Sequence, residues 1–293
     1  MLATLRLIAT HPSNEGRTVA AIADYFKWQL SKRLLGVKHR DFEFHGLKLR
    51  CFADSHSASA AMYFNGLPDY REMRFMQRYL RPGDAFLDVG ANVGVYTLLA
   101  ASLVGPEGRI DAFEPGEKAL RYLRQNVELN ALHQVKVHPL GLSDTPGPWA
   151  LVETQDDCTA TLAASQSDRD EQVAQIDCVK LDEFAPDMNW AMAKLDVEGA
   201  EPLVLRGARS HLSRGNPPVL QIEMDGFSKR FGVGTREFIE ELRGLRYQTS
   251  AYDPSSNALV ACDRPWELNI RNVLAVHEQC FPQVVDRLRE RPA

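Results

Sequence analysis

The chain has 293 residues, 34 Lys and Arg against 39 Asp and Glu, and 44% hydrophobic residues, a composition that excludes disorder and suffices to bury roughly three quarters of the unfolded surface. A net charge of −5 with no basic block or tail disfavours a long nucleic acid as main partner and suits a small-molecule or glycan acceptor. Cys51, Cys158, Cys178, Cys262 and Cys280 are odd in number and form no C-x-x-C pair, which indicates neither a disulfide framework nor a structural zinc site and points to the reducing cytoplasm.

The N-terminal MLATLRLIATHPSN is interrupted by Arg6 and reads poorly as a secretory signal. From Arg17 to Leu35, Val19, Ile22, Phe26, Leu30 and Leu34 recur on one face of an amphipathic helix, and Gly36 supplies its stop. The run Lys27, Lys32, Arg33, Lys38, His39, Arg40 is read as a solvated helix face, with an anionic glycan or a membrane surface as the alternative. Phe42, Phe44, Leu47, Leu49 and Cys51 alternate with polar residues around His45-Gly46, which predicts two short paired strands. The small-residue stretch that follows is expected to be a loop leading to a helix over 71–80.

Beyond Arg81-Pro82-Gly83-Asp84 the pattern becomes strand alternating with helix, the signature of a sheet with crossover helices on both faces. Strands are predicted at 85–89, 109–113, 135–140, 191–195, 218–223, 247–252 and 272–277, with helices at 93–103, around Leu120, Leu123 and Val127, after Pro202, and at 236–245. The apolar stretch from Ala85 to Gly105 contains Asp88, Asn92 and glycines, so it is strand, loop and helix in place of a membrane span. Thr145 to Pro186 has no clear period beyond a β excursion near 149–153 and 175–179.

In such sheets ligands bind outside the carboxyl ends of the strands. After the first of them comes Asp88-Val-Gly90-Ala-Asn92-Val-Gly94. Gly90 and Gly94 are expected to remove side chains where backbone passes close to a ligand, and Asn92 tolerates a left-handed backbone. Asn92 and Val95 stand where a dinucleotide fingerprint needs glycines, so a nicotinamide oxidoreductase is the runner-up. Glu114, 26 positions after Asp88, lies where the architecture places an acid for ribose hydroxyls. Ser143-Asp144 follows the third strand, where an acid could accept from an adenine amine, although Asp before Thr-Pro-Gly is also turn chemistry. An adenosine without a pyrophosphate implies S-adenosylmethionine, whose sulfonium suits an acidic pocket. Asp88 is expected to act through the loop.

Asp88-Val-Gly-Ala-Asn-Val-Gly-Val-Tyr-Thr97, Phe113-Glu-Pro115, Leu123-Arg-Gln-Asn126 with Leu129-Asn130, Lys194-Leu-Asp-Val-Glu-Gly-Ala-Glu201 and Gln221-Ile-Glu223 together resemble the FkbM-type methyltransferases. The resemblance implies an α/β fold with a Rossmann-like class I methyltransferase sheet and helices on both faces. It also implies S-adenosylmethionine as cofactor and O-methylation of sugars, polyketides or other natural products. Residues 1–80 are expected to form an N-terminal helical and hairpin extension on the acceptor side, and residues 81–293 the methyltransferase domain.

On the acceptor side the candidates are Asp196, Glu198, Glu201 and Glu223 at the ends of the fourth and fifth strands. Asp196 is the first choice for acceptor contact or general base, with shaping of the cofactor loop as its alternative. Serving the positive end of the following helix is an equal alternative for Glu198 and the stronger reading for Glu201. Glu223 could hold a second hydroxyl. No ligand spacing demands a metal, so none is assigned. His138 is expected to be a satisfied strand residue and His45 a turn residue. Tyr63, Phe64 and Tyr70 could line an acceptor cleft, with core packing the stronger reading for Phe64. Leu195-Asp-Val-Glu-Gly-Ala occupies the place where a nitrogen-directed methyltransferase would carry an Asn/Asp-Pro-Pro-aromatic turn, which favours oxygen. A non-catalytic cofactor-binding scaffold and a homo-oligomer are both left open.

Overall fold

The structure is a computed structural model that describes residues 1–153, 160–163, 173–224, 227–267 and 271–290. Cys158 lies outside the described residues. The chain opens with helices α1 (Leu2–Thr10) and α2 (Thr18–Leu34), hairpin strands β1 (His39–Phe44) and β2 (Leu47–Phe52), and helices α3 (His56–Tyr63) and α4 (Tyr70–Tyr79). There follow β3 (Ala85–Val89), α5 (Val95–Val104), β4 (Arg109–Phe113), α6 (Glu117–Leu129) and β5 (Val135–His138). The excursion comprises β6 (Gly141–Leu142), β7 (Gly147–Glu153), β8 (Ala160–Leu162) and β9 (Val173–Val179). The remainder is α7 (Leu181–Phe184), β10 (Met192–Leu195), α8 (Glu201–Gly207), α9 (Arg209–Ser213), β11 (Val219–Glu223), α10 (Thr235–Gly244), β12 (Tyr247–Asp253), β13 (Ala258–Ala261), β14 (Asn272–His277) and α11 (Phe281–Arg289).

Eight strands form one sheet in the order β13-β12-β14-β11-β10-β3-β4-β5. Strands β5, β4, β3, β10 and β11 are parallel, and β14 inserts antiparallel between β11 and β12. This is a large mixed sheet of the α/β class that the resemblance implied, with the strand order reversing across the sheet at β3. Successive residues of the central strands serve opposite layers. Phe86, Met192 and Val219 join the core beneath α5, whereas Leu87, Val89, Ala193, Leu195, Leu220 and Ile222 join the core beneath α8 and α10. Both faces are therefore covered, and the strands read as near-continuous apolar runs.

The predicted strands and the helices at 93–103 and 236–245 fall within a few residues of β3–β5, β10–β12, β14, α5 and α10. The small-residue stretch expected to be a loop contains α3, whose start is set by Ser55 accepting from the Ala58 amide. Helix α2 is present, but Val19, Phe26, Leu30 and Leu34 of its apolar stripe face solvent, while Ile22 packs against the core. Ala21 and Trp28, on the opposite side, are the buried residues, and the Trp28 indole donates to Ser59 of α3. The excursion is a second sheet of order β6-β9-β7-β8. Its Leu151, Leu162 and Ile176 pack on Ala200 and Leu203 at the start of α8, so the segment with no readable period becomes a wall beside the strand ends.

Candidate functional site

Strand register builds the site. Val89 pairs with Phe113 and with Leu195, and Leu195 with Ile222, so the chain leaves the sheet at Gly90, Glu114, Asp196 and Glu223 along one edge. At a point where strand order reverses, that edge is where a crevice opens. A cavity of about 170 Å³ lies there, lined by Gly90, Asn92, Glu114, Leu142, Asp196 and Glu223 among others. A second, of about 220 Å³, adds Asp69, Tyr96 and Lys194 and shares Ser57, Gly90, Asn92 and Asp196 with the first.

The loop after β3 is hung from its neighbour, with the Gly90 and Ala91 amides both donating to the Phe113 carbonyl at 3.0 Å. Gly90 has φ +77° and Asn92 φ +52°. A Cβ on Gly90 would lie 1.9 Å from the Asp196 carbonyl oxygen, and one on Gly94 would lie 2.7 Å from Leu123 Cδ1. Neighbouring protein atoms fill both places, so the protein's own packing already requires these glycines, and Gly90 also lines both cavities. Gly94 caps α5 and does not line either cavity.

Glu114 closes the same loop from the other side. Its Oε2 accepts from the Asn92 amide and its Oε1 from the Gly116 amide, both at 2.8 Å. Burial pushes its carboxyl up to about 7, against the pull of those two amides. Each oxygen keeps a lone pair for a hydroxyl donor. Asp88 is fully buried beneath the loop, where its Oδ2 accepts from the Thr97 hydroxyl at 2.6 Å and its Oδ1 has no hydrogen-bond partner among the described residues.

Ser143 and Asp144, expected at an adenine, stand outside both cavities. Ser143 packs under Gly207 of α8, and Asp144 holds the Thr145 hydroxyl at 3.1 Å. The chain turns away into the second sheet there, so Leu140, Gly141 and Leu142 face the cavity instead. Turn chemistry accounts for Asp144.

Asp196, Glu198 and Glu223 do come together, with carboxylate oxygens within 4.8 Å of one another. Glu198 has φ +53° and Gly199 φ +102°, a costly backbone for a non-glycine residue and one that recurs at functional sites. Glu201 stands behind the loop and accepts from the Val197 and Gly199 amides at 2.9 and 3.3 Å, which tie it to the turn before α8. Burial pushes Glu201 up to about 8. His138 bonds Asp111 at 3.1 Å and stacks on Phe113, His45 bonds the Gly66 carbonyl at a turn, and Tyr63 and Phe64 are buried in the core.

Four residues of the site have no assigned role among the sequence expectations: Asp69, Tyr96, Lys194 and Gln221. Lys194 Nζ donates to Asp196 Oδ2 at 2.7 Å and sits 4.7 Å from the centre of the Tyr96 ring. The Tyr96 hydroxyl donates to Asp69 at 2.9 Å and accepts from Gln221 Nε2 at 2.8 Å. Burial disfavours the Lys194 ammonium, but the carboxylates of Asp196 and Asp88 outweigh it and raise its pKa. In turn, although burial raises Asp196, Lys194 and a hydrogen bond with Glu223 outweigh it and hold the carboxyl below its usual range. The signal available in sequence is Lys194 itself, since a lysine inside an apolar central strand must find a carboxylate.

The model of the FkbM methyltransferase domain matches residues 88–249, more than half of the chain. The chain belongs to the FkbM methyltransferase family. Its cofactor is accordingly S-adenosylmethionine, and the buried acid, the tight loop and the apolar walls beside Glu114 fit an adenosine without phosphates. A comparison with curated proteins yields no match. Among solved structures, this FkbM methyltransferase is similar to an rRNA methylase from Streptococcus thermophilus (15% identity, 71% of this chain and 93% of that one, TM-score 0.41). It is also similar to a SAM-dependent O-methyltransferase from Thermotoga maritima (13%, 72% and 65%, 0.39). A third is Aeropyrum pernix fibrillarin with natively bound S-adenosyl-L-methionine (16%, 81% and 81%, 0.39).

Proposed function

We propose that the chain transfers a methyl group from S-adenosylmethionine to a hydroxyl of a sugar-containing or other natural-product acceptor. The observation that carries this reading is the meeting of Asp196, Glu198 and Glu223 in the cavity that also holds Glu114. Carboxylates side by side suit a polyhydroxylated acceptor, and no Pro-Pro-aromatic turn follows β10.

Glu114 accepts from the ribose hydroxyls, while Phe113, Leu142, Leu151 and Leu162 keep water from the adenine side. The adjoining cavity, with Asp69 and Lys194, offers both signs of charge to the amino-acid end of the cofactor. The bound cofactor supplies a methyl on cationic sulfur, which departs as a neutral thioether. Residues 1–80 act as the acceptor-side extension, a role supported by Ser57 at the cavity that holds Asp196, Glu198 and Glu223. Asp196 takes the hydroxyl proton. Lys194 keeps it ionised, and a weak base suffices because the proton becomes strongly acidic as the C–O bond forms.

The test is incubation of the purified protein and methyl-labelled donor with sugar nucleotides, glycolipids and polyketides, followed by mass spectrometry. Label on an acceptor oxygen supports the reading; label on nitrogen overturns it. Asp196→Asn is expected to lower kcat about 100-fold with cofactor affinity nearly unchanged. Unchanged turnover would remove Asp196 as base. Since Lys194 already places a cation on Asp196, turnover is expected to survive exhaustive chelation. Loss on chelation, restored by magnesium, would assign the three carboxylates to a metal instead.

A further inference from the structure

Among the described residues, ten large apolar side chains are exposed, and eight of them precede residue 36. On α2, Val19 is 83%, Phe26 47%, Leu30 58% and Leu34 72% exposed. At 100° per residue these four fall within one narrow stripe, diametrically opposite the buried Ala21 and Trp28. The helix is therefore apolar on two sides, and only one side is used by the fold. An exposed contiguous apolar stripe on an otherwise well-packed protein marks an interaction surface.

Charge identifies what covers it. Residues 1–40 hold seven Lys and Arg against two Asp and Glu, in a chain that has five more acids than bases overall. Lys27 and Arg33 flank the stripe, and Lys38 and Arg40 follow it. All four are exposed and stand in no ion pair among the described residues. Asp24, the acid on α2, is paired with Arg17 at 3.4 Å. Two copies meeting stripe to stripe would bring these cations together, whereas an anionic bilayer neutralises them and takes up the apolar side chains.

We propose that α2 is a membrane-surface anchor that lies in the interface of an anionic bilayer, with Phe26 and Leu30 in the acyl boundary and Lys27 and Arg33 on the headgroups. Such binding needs both parts, because buried apolar area and attraction to anionic lipid add. The inference is independent of the acceptor reading above.

The test is co-sedimentation of the full chain with vesicles of mixed phosphatidylglycerol and phosphatidylcholine and with pure phosphatidylcholine vesicles. Binding is expected to the anionic vesicles alone and to weaken with salt. Phe26→Ser with Leu30→Ser, and separately Lys27→Glu with Arg33→Glu, should each weaken it at least about tenfold without altering circular dichroism. As a readout that does not depend on weakened variants, Phe26→Trp should give a fluorophore quenched by brominated acyl chains. Absence of binding to anionic vesicles, binding indifferent to the serine pair, or an unquenched tryptophan would each overturn the proposal. So would a dimer abolished by the serine pair together with no vesicle binding, which would assign the stripe to a second copy.

Discussion

Gly90→Ala is expected to destabilise the protein by about 3 kcal/mol or more, roughly 8 °C in the unfolding midpoint, and to abolish cofactor binding. Two costs combine at this residue. A left-handed backbone costs a Cβ-bearing residue about 1–2 kcal/mol, and here the Cβ would also lie 1.9 Å from the Asp196 carbonyl oxygen. That oxygen is backbone, so it cannot swing aside. The loop after β3 or the turn after β10 must move, and both line the two cavities. Gly83→Ala separates the two costs, since Gly83 has φ +84° in the turn closed by the Asp84 amide on the Arg81 carbonyl, with nothing within 4 Å of its Cβ position. It should lose only about 1 kcal/mol. Thermal melts that place the two variants together would show that Gly90 is needed for its torsion alone.

Glu114→Ala is expected to weaken S-adenosylhomocysteine binding by about 3 kcal/mol, roughly a hundredfold. The free protein should lose much less. The variant gives up the bonds to the Asn92 and Gly116 amides, but it also removes a buried carboxyl whose ionisation the fold resists. The same carboxyl predicts a pH dependence. Its folded pKa is raised from an ordinary 4.5 to about 7, so the stability it contributes to the free protein is present below 4.5 and is lost as pH rises through 7. Ribose hydroxyls donate best to the ionised form, so cofactor affinity should move the other way, rising from pH 6 to pH 8. Calorimetry at the two pH values checks this, and a flat profile in the parent protein would remove the ribose assignment.

The sheet was legible because its central strands are buried on both faces. Ala85-Phe-Leu and Val219-Leu-Gln-Ile show as short apolar runs closed by Gly90 and Glu223. Helix α3 was not, since Ser57, Ala58, Ser59, Ala60 and Ala61 carry no apolar period; the capping hydroxyl of Ser55 is the local mark of its start. On α2 the strongest apolar stripe pointed to the wrong side, because amphipathicity identifies an apolar face without saying what meets it. Gly90, Asn92, Glu114, Asp196, Glu198 and Glu223 line one cavity because they close or follow strand ends, where the architecture itself collects residues. Asp88, Lys194 and Gln221 lie side by side on three neighbouring strands under Tyr96, yet more than a hundred residues separate Asp88 from Lys194 in sequence. Only the register of the folded sheet brings them together.

Solving the protein bound to S-adenosylhomocysteine tests the placement of the cofactor most directly. The ribose hydroxyls should lie on Glu114, the adenine beside Gly141 and Leu142, and the sulfur toward Asp196, Glu198 and Glu223. A nucleoside seated elsewhere, or one whose sulfur faces away from those three carboxylates, would contradict the account.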